Sequence, residues 1–368
     1  MSSARILFRT GGLGDVVMAL AAAQAMKALT GDQILLVTSR AFGDIARACP
    51  HVDHVLHIES LSPLEQRAID LGQRLRRFYD LNPVAFGLAR EHQVDAYLWA
   101  AGLEAPAAQK QIQLVLPGAV VQRTRAKARR AGVRERSVVL HPAVGDPNRT
   151  WPQERWTELA RLLGERGYPV VLIGATDRHK GAQPLPDCGA ISLIGHLDAL
   201  ETVALLRDSL ALITTDSGPV QLAGATEAAI VGIYSVVRGR NRLPFRHGQP
   251  GWNAIAIEPD CPSFGCYRHL NRPEVAAPLL EAVVGGRASL AQALGEWCVQ
   301  PESQYACLRS RVRPDAVMTA LLDLLERADR DAAARRAPAD CSQGGAPPAA
   351  PTSRCAGVAL LTEDLTVR

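Results

Sequence analysis

Twice along this chain, short apolar runs of β-strand character alternate with stretches of helical periodicity, and that pattern restricts the fold more than any other feature. In the first series "RILF" (5–8) leads to a helix over 15–29, "QILLVT" (33–38) to a short helix near 40–48, and "HVLHI" (54–58) to a long amphipathic segment from 63 to about 80. "DAYLWA" (95–100) reads as a further strand. In the second series "SVVLH" (137–141), "PVVLIG" (169–174), "LALITT" (210–215) and "AAIVGIY" (228–234) read as strands, with helices over 152–167 and 198–209. Strands alternating with helices pair in parallel and need helices on both faces, so the expectation is an α/β protein of two stacked Rossmann-like domains.

Between the series lies "QRTRAKARRAGVRERS" (122–137), with seven basic residues. Two readings stay open: a solvated helix or linker, or an electrostatic contact to anionic lipid headgroups or an anionic substrate. From about residue 331, Ala, Arg, Pro and Gly predominate, a composition that cannot bury a core and reads as a disordered tail. The expected division is therefore a first domain at 1–130 (basic linker about 122–136), a second at 137–330, and the tail at 331–368.

With 47% hydrophobic and 21% charged residues, the chain has the make-up of an ordinary globular protein, and 368 residues suffice for two domains. A net charge of +4 over such a length does not argue for a nucleic-acid partner. Asp15 and Lys27 interrupt the longest apolar run short of the ~18 residues that a membrane span needs. Polar "TGGLGD" stands where a signal peptide would be apolar. The expectation is a cytoplasmic protein with reduced thiols, its eight cysteines too sparse for a disulfide scaffold.

Three strand ends carry polar residues suited to ligand binding. After the first strand, Gly11, Gly12 and Gly14 form a turn into an apolar helix whose first turn holds a lone carboxylate, Asp15. Asp15 caps the helix, or it is a catalytic group beside a ligand that the glycines let approach the backbone. In "HPAVGDPNRTWPQERW" (141–156), Arg149 projects from a strand-end loop where a guanidinium can clamp a diphosphate, while Trp151 and Trp156 read as packing residues. In "TTDSGPVQLAGA" (214–225), Asp216, Ser217 and Gly218 turn directly into a helix, so its first amides face a ligand or are merely well capped. Thr176 and Asp177 in "LIGATDRHKG" (172–181) can hydrogen-bond a ribose, or are simply solvated.

"GGLGD", "HPAVGDPNRTWPQERW" and "TTDSGPVQLAGA", in that order and spacing over roughly residues 4–327, resemble glycosyltransferase family 9, the ADP-heptose:lipopolysaccharide heptosyltransferases. The resemblance implies a GT-B fold, with two Rossmann-like domains facing across a cleft. The first domain would present the acceptor and the second would hold the nucleotide sugar. It implies that Asp15 is general base on the acceptor hydroxyl, that Arg149 contacts the diphosphate where these enzymes commonly have Lys, and that Asp216, Ser217 and Gly218 bind phosphate and sugar. Two departures stand out: Gln221 replaces the His of "DSGPxHLA", and Thr176 intervenes before Asp177, where an acidic residue often follows "GA" directly.

The resulting expectation is inverting transfer of a heptose or related sugar from an ADP-activated donor to a lipopolysaccharide-core or other surface glycan. A base deprotonates the acceptor while Arg149 and the helix dipole meet the charge of the leaving diphosphate, so no cofactor is required. Peripheral contact with the inner membrane face would suit a glycolipid acceptor, with the amphipathic helix over 313–328 packing back on the protein rather than on lipid. One alternative is a nucleotide-sugar-binding protein without transfer activity. Another is a metal-stapled protein glycosyltransferase. Cys261, Cys266, Cys298 and Cys307 can hold zinc or iron tetrahedrally, although their spacings are looser than those of ordinary zinc pairs and reduced structural thiols are the main expectation. Related protein heptosyltransferases bind iron through four such cysteines; His269 reads equally as a loop histidine.

Overall fold

The computed structural model describes residues 3–83, 91–143, 145–177, 181–270, 273–289, 292–294, 297–298 and 304–336. The first series folds as β1 (Ala4–Phe8), α1 (Leu13–Thr30), β2 (Gln33–Thr38), α2 (Gly43–Arg47), β3 (His54–His57), α3 (Pro63–Arg74) and β4 (Phe78–Asp80). Its sheet is wholly parallel, in the order β3-β2-β1-β4. The chain adds strands on one side of β1 and then returns to its other side, so the order reverses between β1 and β4. Ligands in open α/β sheets lodge beyond the carboxyl ends of strands at such a reversal.

Two elements follow, α4 (Gln93–Ala100) and α5 (Gly118–Arg130). The second series gives β5 (Val138–His141), α6 (Gln153–Glu165), β6 (Val170–Leu172), β7 (Ile191–Ser192), α7 (Ala199–Arg207), β8 (Ala211–Thr215), α8 (Gly218–Ala223) and β9 (Ala229–Ile233). A hairpin of β10 (Phe245–Arg246) and β11 (Gln249–Pro250) comes next, then β12 (Ala254–Ile257), α9 (Pro273–Val284) and α10 (Pro314–Arg336). The second sheet, also parallel, has the order β12-β9-β8-β5-β6-β7 and reverses between β5 and β8.

The "DAYLWA" strand expected over 95–100 is a helix instead. Val94, Tyr97 and Leu98 fall at i, i+3 and i+4 and are all buried, so the spacing is helical once the window begins at Gln93. The His92 ring accepts from the Val94 amide at 3.2 Å and lies edge-on to Phe245 with centroids 4.4 Å apart, fixing the start of α4. The segment expected to run from 63 to about 80 divides in two. A capping box of Ser62 and Glu65 starts α3, Arg76 takes a left-handed φ of +54° just past its end, and β4 then pairs with β1.

The basic run becomes α5, held against α7: Glu201, 2% exposed, receives Arg123 at 2.6 Å and Lys127 at 2.7 Å, while Arg125 reaches Asp208 at 2.8 Å. Three of the run's seven cations, Arg123, Arg125 and Lys127, are thus engaged within the fold. Helix α1 is long and apolar enough, by length and composition, to cross a membrane despite Asp15 and Lys27. Eleven consecutive residues of it, Val16–Met26, are nevertheless buried in protein, each Val, Leu or Met contributing about 1.5–3 kcal/mol. It packs against both α4 and α8, so one apolar core runs through the two sheets. On α10, Val317, Leu321 and Leu324 are buried at helical spacing in a second cluster, so this helix packs back on the protein. It continues through Arg336, past the expected start of the tail at 331, and residues 337–368 lie outside the described residues.

Candidate active site

The strand reversals of the two sheets face one another, and the turns at their carboxyl ends meet. Gly12 adopts φ +75°, and a Cβ there would stand 2.6 Å from Asp15 Oδ2, so only glycine lets that carboxylate fold back over the turn. Asp15 does not cap the helix: the N-cap is Gly12, without a side-chain bond. Instead Asp15 Oδ2 accepts from Arg9 Nη2 at 2.6 Å, and Arg242 Nη1 lies 3.7 Å from Oδ1. Arg9 follows β1, is 7% exposed and also donates to the Asn82 carbonyl at 3.2 Å. A carboxylate between two guanidiniums is held in a fixed orientation. Gly11 is exposed at the rim, and Thr10 beside it is tied to Asn82 Oδ1 at 3.2 Å.

The opposing wall begins at Gly14, where a Cβ would come 3.3 Å from the Gly218 Cα and 3.5 Å from the Gln221 Cγ. The two motifs are therefore in van der Waals contact. Ser217 does not cap α8; its Oγ turns to Thr214 Oγ1 at 2.8 Å and His141 Nδ1 at 3.2 Å. Burial pushes the His141 pKa down to about 4, so this imidazole is neutral at physiological pH. Gln221, 3% exposed, donates from Nε2 to the Arg242 carbonyl at 2.5 Å, and its Oε1 has no hydrogen-bond partner among the described residues. Arg242 in turn donates to Gln93 at 2.8 Å and faces Asp15, so one arginine joins α4, α8 and the carboxylate.

Arg149 ends a helical turn after Asp146. It pairs with Asp146 and stands 3.8 Å from Asp216. Burial alone would lower its pKa, yet Asp216, Tyr267 and Asp146 hold it above the ordinary arginine value. An incoming diphosphate therefore competes with two carboxylates for this guanidinium. Thr176 and Asp177 are exposed on the loop after β6, with the Thr176 methyl against Gly195. Trp151 and Trp156 are packing residues, each 1% exposed and edge-to-face at 4.8 Å.

Burial pushes the Cys266 thiol up to about 12, and nearby Cys298, Cys307 and Cys261 act in the same direction. The four thiols thus lie within electrostatic range of one another. Among the described residues, however, no three His, Cys, Asp or Glu side chains form a group that could hold a metal ion, so the residues as placed do not fit one. The His269 side chain lies outside the described residues. Sequence reasoning missed Arg9, His141 and Arg242. His141 at the end of a strand and Arg9 two residues before the glycines were visible signals, whereas nothing local marks Arg242 among its neighbouring arginines.

A family model described as glycosyltransferase family 9 (heptosyltransferase) matches residues 83–248. Lipopolysaccharide heptosyltransferase 2 of Salmonella typhimurium is 28% identical over 95 residues, 24% of this chain and 27% of that protein. Lipooligosaccharide heptosyltransferase 2 of Haemophilus influenzae is 32% identical over 97 residues, 24% and 28% of the respective chains. The chain thus matches about a quarter of the length of these curated relatives. In three dimensions, a glycosyl transferase family 9 structure from Veillonella parvula aligns with TM-score 0.62 and 15% identity, covering 89% of this chain and 98% of its own. The iron-containing dodecameric glycosyltransferase TibC of enterotoxigenic E. coli aligns with TM-score 0.59 and 17% identity, covering 89% and 77%. At such identities these likenesses establish the fold, the GT-B arrangement expected from the sequence.

Proposed function

We propose that this chain, whose residues 83–248 match the model of glycosyltransferase family 9, transfers a heptose or related sugar, with inversion, from an ADP-activated donor to a lipopolysaccharide-core or other surface glycan. The observation that carries this reading is the contact of Gly14 with Gly218 and Gln221. It sets Asp15, from the first lobe, beside the phosphate-type turn of the second. The first lobe, about residues 1–130, presents the acceptor, and the second, about 137–330, holds the nucleotide sugar.

Asp15 accepts the proton of the acceptor hydroxyl as that oxygen attacks the anomeric carbon, and the nucleoside diphosphate departs from the opposite face. Arg9 and Arg242 keep the carboxylate aimed. Arg149 meets the charge on the leaving diphosphate, exchanging a carboxylate partner for phosphate oxygens, with Asp216, Ser217 and Gly218 at the sugar. Gln221 braces Arg242 where relatives use a histidine, and Thr176 with Asp177 flanks the ribose. The step draws on no metal, because the guanidinium supplies the positive charge. The protein works in the cytoplasm at the inner membrane face.

The test is incubation with a panel of nucleotide sugars, read by thermal stabilisation and donor hydrolysis. A response to ADP-heptose above UDP- and GDP-sugars is expected. Equal indifference to every ADP-sugar overturns the donor assignment.

A further inference from the structure

Helix α3 shows an unusual division of its faces. Its inner side buries Ile69 and Gly72, the latter so close to β1 that a Cβ would stand 2.6 Å from Ile6 Cδ1. On its outer side Leu64, Leu71 and Leu75 are 77%, 55% and 59% exposed. At 100° per residue these three lie within roughly 40° of one another, and Arg67 and Arg74 follow about 60–80° to one side. Arg76 comes directly after the helix. Among the described residues Arg67, Arg74 and Arg76 have no carboxylate partner, while on α5 Arg123, Arg125 and Lys127 are paired with Glu201 and Asp208.

We propose that α3 is the element by which this protein lies on a bilayer surface of anionic lipid. The leucine stripe enters the boundary between headgroups and acyl chains, and the flanking arginines meet lipid phosphates. Charge complementarity selects this occupant: a neutral apolar partner would leave three guanidiniums unmatched beside the stripe. An isolated leucine outside a protein is ordinary, but three in register beside unpaired arginines form an amphipathic face. The proposal deepens the reading of a lipid-linked acceptor by naming the surface that reaches it. Its test measures vesicle binding rather than transfer, so either idea can fail while the other stands.

The experiment is sedimentation of the full chain with vesicles of phosphatidylcholine, alone or containing phosphatidylglycerol. Wild type is expected to bind the anionic vesicles, to bind neutral ones weakly, and to be released by high salt. Leu71→Asp/Leu75→Asp and Arg67→Glu/Arg74→Glu should each lose roughly tenfold or more of that binding, with ADP affinity and melting temperature unchanged. Should the aspartates disturb folding, Leu71→Ser/Leu75→Ser serves instead, with the same expected direction. Failure of wild type to bind anionic vesicles overturns the proposal, as does undiminished binding by the variants. A dimer abolished by the leucine substitutions, without vesicle binding, would assign the face to a second copy of the chain and likewise overturn it.

Discussion

Gly14 and Gly218 stand so close that a methyl carbon on Gly14 would lie 3.3 Å from the Gly218 α-carbon, backbone against backbone between two helix N-termini. A neighbour made of main chain yields poorly. Gly14→Ala is therefore expected to force the helices apart by a few tenths of an ångström and to cost about 1–3 kcal/mol of stability. Gly218→Ala meets the Leu13 Cβ, Cγ and Cδ2 at 3.1 Å and should cost at least as much, because the Cβ is fixed to the backbone and cannot turn away. Urea unfolding of the two variants measures the difference, and equal stability of Gly14→Ala and wild type would show that the contact is loose.

Asp15→Asn keeps the shape of the carboxylate but removes the base. Transfer should fall by about 10²–10⁴, the usual contribution of a positioned general base, with ADP affinity nearly unchanged. Wild-type turnover in a discontinuous transfer assay would remove Asp15 from that role.

Arg149 and Asp146 give substitutions of opposite sign. Arg149→Ala should weaken ADP binding by about 1.5–3 kcal/mol, the value of a hydrogen bond to a charged group. Asp146→Asn withdraws a competitor for the same guanidinium and should tighten ADP binding. Calorimetric titration reads both, and a loss of affinity in Asp146→Asn would mean that the carboxylate serves to aim Arg149 instead.

Two buried histidines set a pH dependence. Burial holds His92 and His141 near 4, against ~6.5 for an unfolded histidine. Between those values the unfolded chain binds protons that the folded chain does not, so stability rises with pH across this window and is lost as pH falls from about 6.5 to 4. The depressed carboxylates Asp32 and Glu201 act in the same direction but only below the ordinary carboxylate range, so pH 5 to 6.5 isolates the imidazoles. Denaturation midpoints should decline over that interval, and His92→Gln should flatten the decline. A level profile in wild type would show that these rings are wetter than their surroundings imply.

Much of this architecture was legible because strand and helix periods differ, and runs such as "QILLVT" and "LALITT" carry β-branched and leucine residues between turn signals. Helix α4 was misread because six residues of alternating appearance hide a period of 3.6, and its identity depends on His92 meeting Phe245 from far along the chain. The short strand β4 was hidden behind a helix whose end rests on one left-handed arginine. At the site, the glycine turns and Arg149 announced themselves through composition and position. Arg242 did not, because its value comes from Gln221 and Gln93, which reach it from two other helices. The capping role considered for Asp15 gave way to pairing with Arg9, a contact six residues apart that no helical spacing rule contains.

Helix α1 is wrapped by protein along eleven residues and touches α4 and α8. A lobe that turned about a free joint would have to tear that apolar seam open and expose it to water. Motion of one lobe against the other would instead have to slide along the helix, in small shear displacements that let side chains repack. Asp15, borne on that same rod, would travel with the motion instead of being left behind.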